Sequence, residues 1–295
     1  MTEPRAIDHI VFVTDDLDAT ATKYENLGFT LTPRAQHNAA MGTSNRLIQF
    51  EGRNYIELLE VDRPDGVAPH RFDADPPFFS FGTHNKEFLR RGAGISMLAL
   101  KSTDLRTDLM QLARNGVQTY APLDFERQAQ LPDGSEVSVA FSLGFVSSPS
   151  LPGLAFFLCQ HHTPQYFWNP EFQIHKNAAR SASALYLASN DPEQQVDFLS
   201  KLTGGVASAV HGGFEIACAE SLVFVLTPNA LSEVASGFDR SITTPAFAGA
   251  GIEASARVFE NARADHCCGA FLMWTERDTV RRDVSASVGK EKSAY

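Results

Sequence analysis

A chain of 295 residues, 43% of them hydrophobic and 20% charged, is long enough for one large domain or two ordinary ones, and its composition excludes a disordered chain. A net charge of -10, with no basic run longer than Arg90-Arg91 or Arg281-Arg282, excludes a nucleic-acid surface. No apolar stretch reaches the roughly 20 residues that a membrane helix requires. The cysteines at 159, 218, 267 and 268 show no C-x-x-C spacing, and they read as free thiols in a reducing cytoplasm. The adjacent Cys267 and Cys268 also allow a strained disulfide.

The first strand is expected over 7–13. A helix follows over 16–27, capped by Asp15 or Asp16, with Leu17, Ala21, Tyr24 and Leu27 on one face and Gly28 at its end. Strands are expected over 29–33, 46–50 and 55–61. An aromatic connection, Pro76 to Gly82, leads to a strand over 95–100 and a helix that ends at Gly116, burying Leu105, Leu109, Leu112 and Ala113. Strands over 117–125, 136–143 and 154–160 complete the unit. A second aromatic connection, Tyr166 to Pro170, precedes a strand over 184–188 and a helix that ends at Gly204. Asp191, Pro192 and Gln194 supply its expected capping box. Strands over 206–210, 214–218 and 222–226 follow. The three helix-ending glycines are spaced by 88 residues, and each unit reads strand, helix, strand, strand, strand, which marks an internal repeat. A shortened fourth unit fits a strand over 250–254, a helix over 258–263 and a strand over 270–274. The tail, 276–295, is polar and is expected at the surface.

This βαβββ order, with Asp8-His9-Ile10-Val11-Phe12, then His37 with Gly42-Thr43-Ser44-Asn45, then Glu57-Leu58-Leu59, resembles the glyoxalase-like branch of the vicinal-oxygen-chelate superfamily. The resemblance implies an α+β fold of repeated βαβββ modules, forming curved mixed sheets as two half-barrel pairs. It also implies metal ligands at His9 and Glu57. The likeness is strongest over 6–61 and holds in outline to about 168. The corresponding domain division is a two-module domain with the active cup over 1–168 and a linker over 169–180. Degenerate third and truncated fourth modules over 181–275 and the tail over 276–295 complete it.

The residues themselves carry the chemistry. By alternation, Ile7, His9, Val11 and Val13 share one face of the first strand, and Tyr55, Glu57 and Leu59 share one of the fourth. A carboxylate in such an apolar strand needs a partner, a proton or a cation. His9 and Glu57 therefore begin a divalent metal site, or they form a His–Glu hydrogen bond in a pocket without metal. In the second unit their counterparts are Met97 and Phe157, neither of them a ligand for a hard cation. His161 shares the cup face with Phe157 and Cys159 and is the candidate third ligand, or else a solvated strand end. His37, Thr43 and Asn45 are placed to bind a substrate head group, and Phe157 to meet its apolar body. Arg46 points away.

Two classes of function follow. One is an isomerase- or lyase-type enzyme acting on a small carbonyl or hydroxy compound, with one divalent ion (Zn, Ni, Mn, Fe or Co) and Glu57 as the base where it is not spent as a ligand. The other is a binding protein that sequesters an apolar small molecule. An extradiol dioxygenase is disfavoured, because it needs two first-strand histidines. The partner is a small molecule rather than nucleic acid or membrane, and a homodimer is left open.

Overall fold

The computed structural model describes residues 3–130, 134, 136–254, 264–267 and 269–276. In chain order the first module comprises β1 (Ile7–Thr14), α1 (Leu17–Asn26), β2 (Ala35–Gln36), β3 (Ser44–Gln49) and β4 (Tyr55–Glu60). After α2 (Phe81–Leu89) the second comprises β5 (Gly94–Lys101), α3 (Leu105–Arg114), β6 (Gln118–Thr119), β7 (Leu123–Gln130), β8 (Glu136–Ser147) and β9 (Ala155–His161). A short α4 (Pro164–Phe167) leads to β10 (Ala179–Ala188), α5 (Glu193–Thr203), β11 (Val206–Val210), β12 (Gly213–Ala217) and β13 (Leu222–Leu226). Then come α6 (Pro228–Val234), β14 (Ala246–Ala254), β15 (Ala264–Cys267) and β16 (Ala270–Glu276).

The strands make two sheets on one plan. The first runs β2-β3-β4-β1-β5-β9-β8-β6, with β7 paired to β8, and the second runs β11-β12-β13-β10-β14-β16-β15. In each, the opening strands of two modules pair antiparallel at the centre, β1 with β5 and β10 with β14. Each opening strand also carries its module's last strand parallel on the other side. Neither sheet closes into a barrel. The structure is thus α+β and modular, as expected.

The repeated glycines have a backbone cause. Gly28, Gly116 and Gly204 all lie at positive φ, at 90°, 79° and 69°, where a side chain is disfavoured. Asp16 and Asp104 cap α1 and α3 by accepting from Ala19 N and Thr107 N. The expected box on α5 is absent: Pro192 precedes the first turn and no side chain caps it. The apolar faces of α1, α3 and α5 belong to one core that both sheets share, with Tyr24, Leu112 and Leu199 beside Phe156, Leu187 and Leu272. The opposite, concave face of the first sheet has its own core, including Val11, Phe81, Phe145 and Phe157.

Two expected strands differ. Residues 29–33 form no ladder: Phe29 N bonds back to Tyr24 O, and Thr30 is held by Ile174 and the His175 ring. Residues 117–125 split into β6 and the start of β7, and β7 continues into a long hairpin with β8. The expected helix over 258–263, Cys268 and the tail beyond Glu276 lie outside the described residues; Cys159, Cys218 and Cys267 are free thiols.

Candidate functional site

The site begins with an irregularity in β1. His9 pairs with Ala99 and Ile7 with Leu100, so Asp8 is an extra residue bulged out of the ladder with β5. The bulge reverses the expected alternation. Ile7 packs with Ile10 and Phe12 in the shared core, while Val11 and Val13 line the concave face. Asp8 and His9 consequently reach the same side. The expected common face of Ile7 and His9 is corrected by that one inserted residue.

Asp8 Oδ1 lies 2.6 Å from His9 Nδ1, and Asp8 Oδ2 lies 3.1 Å from His161 Nε2. Burial by itself would push the Asp8 carboxyl up. The His161 imidazole, and then His9, outweigh it and hold the group well below the usual carboxylate range. An ionised Asp8 accepts a hydrogen bond from His9 Nδ1–H, which leaves His9 Nε2 on the other side of the ring, 3.7 Å from Glu57 Oε2. Tyr55 stacks on the His9 ring at 4.3 Å, and Phe157 meets it edge-on at 5.1 Å.

On the far side of Glu57 the Asn45 amide donates to Oε1 at 2.7 Å and to His37 Nε2 at 3.1 Å. That leaves His37 Nδ1 to donate to Thr43 Oγ1, 2.8 Å away. The loop carrying His37 and Thr43 is braced by Arg63, which donates to both their carbonyls. Gly42 makes this approach possible: at φ 64° it passes so close to the chain that a Cβ would stand 2.6 Å from Arg63 O. Arg46 points away, to Glu25 and Thr32 O.

These groups border a cavity of about 40 Å³ walled by His9, His37, Asn45 and Glu57 on one side and by Phe81, Phe125, Phe141, Phe157 and Phe167 on the other. Cys159 also borders it. Burial, and then the neighbouring Asp8 and Glu57 carboxylates, push its thiol well above the ordinary value, so it stays neutral.

A family profile described as Glyoxalase-like domain matches residues 7–203. The chain belongs to the glyoxalase-like family. It sits in the vicinal-oxygen-chelate superfamily, which includes metal-dependent isomerases, lyases and dioxygenases. No match was found among curated proteins. A hypothetical protein from Staphylococcus aureus, 15% identical, superposes with a TM-score of 0.71 over 92% of this chain and 98% of its own. The Mn(II)-bound glyoxalase from Novosphingobium aromaticivorans is 12% identical, with a TM-score of 0.50 over 94% of this chain and 83% of its own. A variant of 4-hydroxymandelate synthase from Streptomyces coelicolor is also 12% identical, with a TM-score of 0.50 over 86% and 72%. At such identities the likeness is one of fold.

Within this glyoxalase-like cup the structure brings together His9, His37, Thr43, Asn45, Glu57 and Phe157. It sets His161 apart, against Asp8 rather than Glu57. The registers agree with the expected counterparts: β1 and β4 pair His9 with Tyr55, β5 and β9 pair Met97 with Ala155, and Phe157 follows two residues on, as Glu57 does. Sequence reasoning missed Asp8. The available signal was an acid beside a histidine in a strand buried along its whole length.

The donor set suits a divalent ion. Asp8 and Glu57 are 2% and 4% exposed. Among the described residues their ion-pair partners are only imidazoles: His9 and His161 for Asp8, His9 and His37 for Glu57. A buried carboxylate without Lys or Arg needs hydrogen-bond donors, a proton or a cation. His9 Nε2 and a Glu57 oxygen are the nitrogen and oxygen donors that a first-row divalent ion accepts. Among the described residues no helix is long and apolar enough to cross a membrane.

Proposed function

We propose that this protein is a metal-assisted enzyme of isomerase or lyase type, acting on a small carbonyl or hydroxy compound with an apolar body. The observation that supports it is the pair of buried carboxylates whose ion-pair partners, among the described residues, are imidazoles, set in an aromatic-walled cavity. His9 Nε2 and Glu57 would hold one divalent ion, which supplies Lewis-acid polarisation of a substrate oxygen when bound. Two protein donors leave coordination positions for substrate.

The chain's own groups divide the remaining work. Asp8 fixes the His9 ring by accepting a hydrogen bond from its Nδ1–H. Asn45 bridges Glu57 Oε1 and His37 Nε2, fixing the carboxylate that would receive a proton from substrate. Thr43 keeps the His37 ring in that orientation, and Phe157 with its aromatic neighbours excludes water and contacts the substrate body.

Titration with Mn²⁺, followed by its electron paramagnetic resonance, tests the reading. Wild-type protein binds one Mn²⁺ in the cup, and His9→Ala or Glu57→Gln each weakens binding by more than about tenfold. The same variants lose exchange of solvent deuterium into 2-hydroxy and 2-oxo compounds. Absence of both binding and exchange in the wild type overturns the proposal. The second reading, a non-catalytic binding protein, draws on Met97 and Phe157 standing where module two would supply ligands. It expects apolar ligands to bind equally well with and without metal.

A further inference from the structure

We infer that Asp8, Cys159 and His161 form a second cation site, distinct from the His9–Glu57 pair, that takes a thiophilic divalent ion such as zinc. One candidate donor atom from each of the three lies within 4.8 Å of the other two, and among the described residues this is the one such group of three. The donors are a carboxylate oxygen, a sulfur and an imidazole nitrogen, a set that matches zinc better than the all-oxygen shells of magnesium or calcium.

Three features of the fold assemble the site. The β1 bulge turns Asp8 out of register toward the concave face. Alternation along β9 puts Cys159 and His161 on that face together, two residues apart. Aromatic packing then holds the His161 ring, which stacks with Trp168 at a centroid distance of 5.9 Å and meets Phe141 and Phe167 edge-on. His161 Nδ1 is buried without a hydrogen-bond partner, so the ring bonds through Nε2 alone, and Nε2 faces Asp8.

The site also has access. Asp8, Cys159 and His161 border an open hollow of about 430 Å³, whose walls include Arg53, Lys101 and Trp168. An ion can enter from this side without crossing the aromatic cavity, and a water or an anionic ligand can complete a tetrahedral shell. Asp8 touches both places: its Oδ1 lies 2.6 Å from His9 Nδ1, and His161 Nε2 lies 3.1 Å from Oδ2 and 3.2 Å from Oδ1. Binding exchanges one proton: the Cys159 S–H bond breaks, the sulfur pair goes to the ion, and the proton leaves through the hollow to solvent.

The test is Co²⁺ and Zn²⁺ binding to the full chain. Co²⁺ gives a near-ultraviolet thiolate charge-transfer band in the wild type and in Glu57→Gln. Cys159→Ser loses the band, and His161→Gln weakens Co²⁺ binding by more than about tenfold. Zinc-edge X-ray absorption on the wild type, which depends on no variant's folding, shows one sulfur at about 2.3 Å. A band that persists in Cys159→Ser, a band lost in Glu57→Gln, or a zinc shell without sulfur overturns the second site. None of these results bears on Mn²⁺ binding by His9 and Glu57.

Discussion

Asp8 acts through its neighbour. An ionised carboxylate on Nδ1 makes the opposite nitrogen of His9 the better donor to a cation. Asp8→Asn keeps the shape and removes the charge, and the amide can also donate to Nδ1 and so reverse the tautomer. Mn²⁺ affinity should fall by about 10- to 100-fold with circular dichroism unchanged, as expected for an outer partner of a ligand. Unaltered affinity would show that His9 does not need its carboxylate. At Phe157, Phe157→Glu places a carboxylate opposite Glu57 and should strengthen Mn²⁺ binding while weakening apolar ligands. If both affinities hold, Phe157 does not face the bound molecules. His9, Glu57, Asn45 and Thr43 were legible because each lies on a strand or tight loop whose parity the apolar pattern reveals. Asp8 was not, because a single bulged residue reverses parity and leaves no mark in composition. His161 was legible as a cup residue but not as Asp8's partner, since that pairing depends on the same bulge.

At the scale of elements, α2 carries a buried histidine with its own pH signature. His84 is 8% exposed and its Nε2 bonds Ser96 O, 3.2 Å away. Burial, which outweighs that bond, with smaller contributions from His70 and Arg91, lowers its pKa from 6.5 to about 4. Between those values the unfolded chain binds a proton that the folded chain refuses, so stability declines as pH falls from 6.5 toward 4 and is retained above 6.5. The loss is about 3 kcal/mol. His70 and His175 shift in the same direction. Urea unfolding at successive pH values should show the decline, and His84→Gln should flatten it; an unchanged slope would remove His84 as its source. The repeat of such elements was visible because a helix ending in left-handed backbone favours glycine, and that preference survives when side chains diverge. The segment 29–33 misled, since Phe29 and Thr30 find their hydrogen bonds in α1 and the 174–175 loop, and only Thr32 bonds the neighbouring β3, too little for a ladder.

Across the whole molecule, polar contacts join the sheets, among them clasps at Arg5 and at Asn54. Arg5, buried at the N-terminal end, donates to Leu202 O at the end of α5 and pairs with Asp108 of α3 at 2.8 Å. The cation also meets the negative end of the α5 dipole. Asn54, just before β4, both accepts from Ala182 N and donates to Ala182 O, at 3.0 and 2.9 Å, as a strand backbone would. Arg5→Ala should cost about 2 kcal/mol, the scale of buried hydrogen bonds to a charged group. Because the core is common to both sheets, unfolding should stay a single transition. Two separated transitions in the variant would mean that the halves are held together by this clasp alone.

The size of the cavity sets the pace of ligand capture. A space of about 40 Å³ admits a water or two, whereas pockets for organic ligands are roughly 300–1,000 Å³. An organic substrate is therefore larger than this cavity, and its capture should require the Phe81, Phe125 and Phe167 side chains to move apart. Its apparent affinity is diluted by the fraction of time the wall stands open. In stopped-flow mixing the observed association rate should level off at the opening rate as ligand concentration rises, and trimming Phe167 to leucine should raise that plateau. A rate that climbs linearly without limit would mean that the wall never gates.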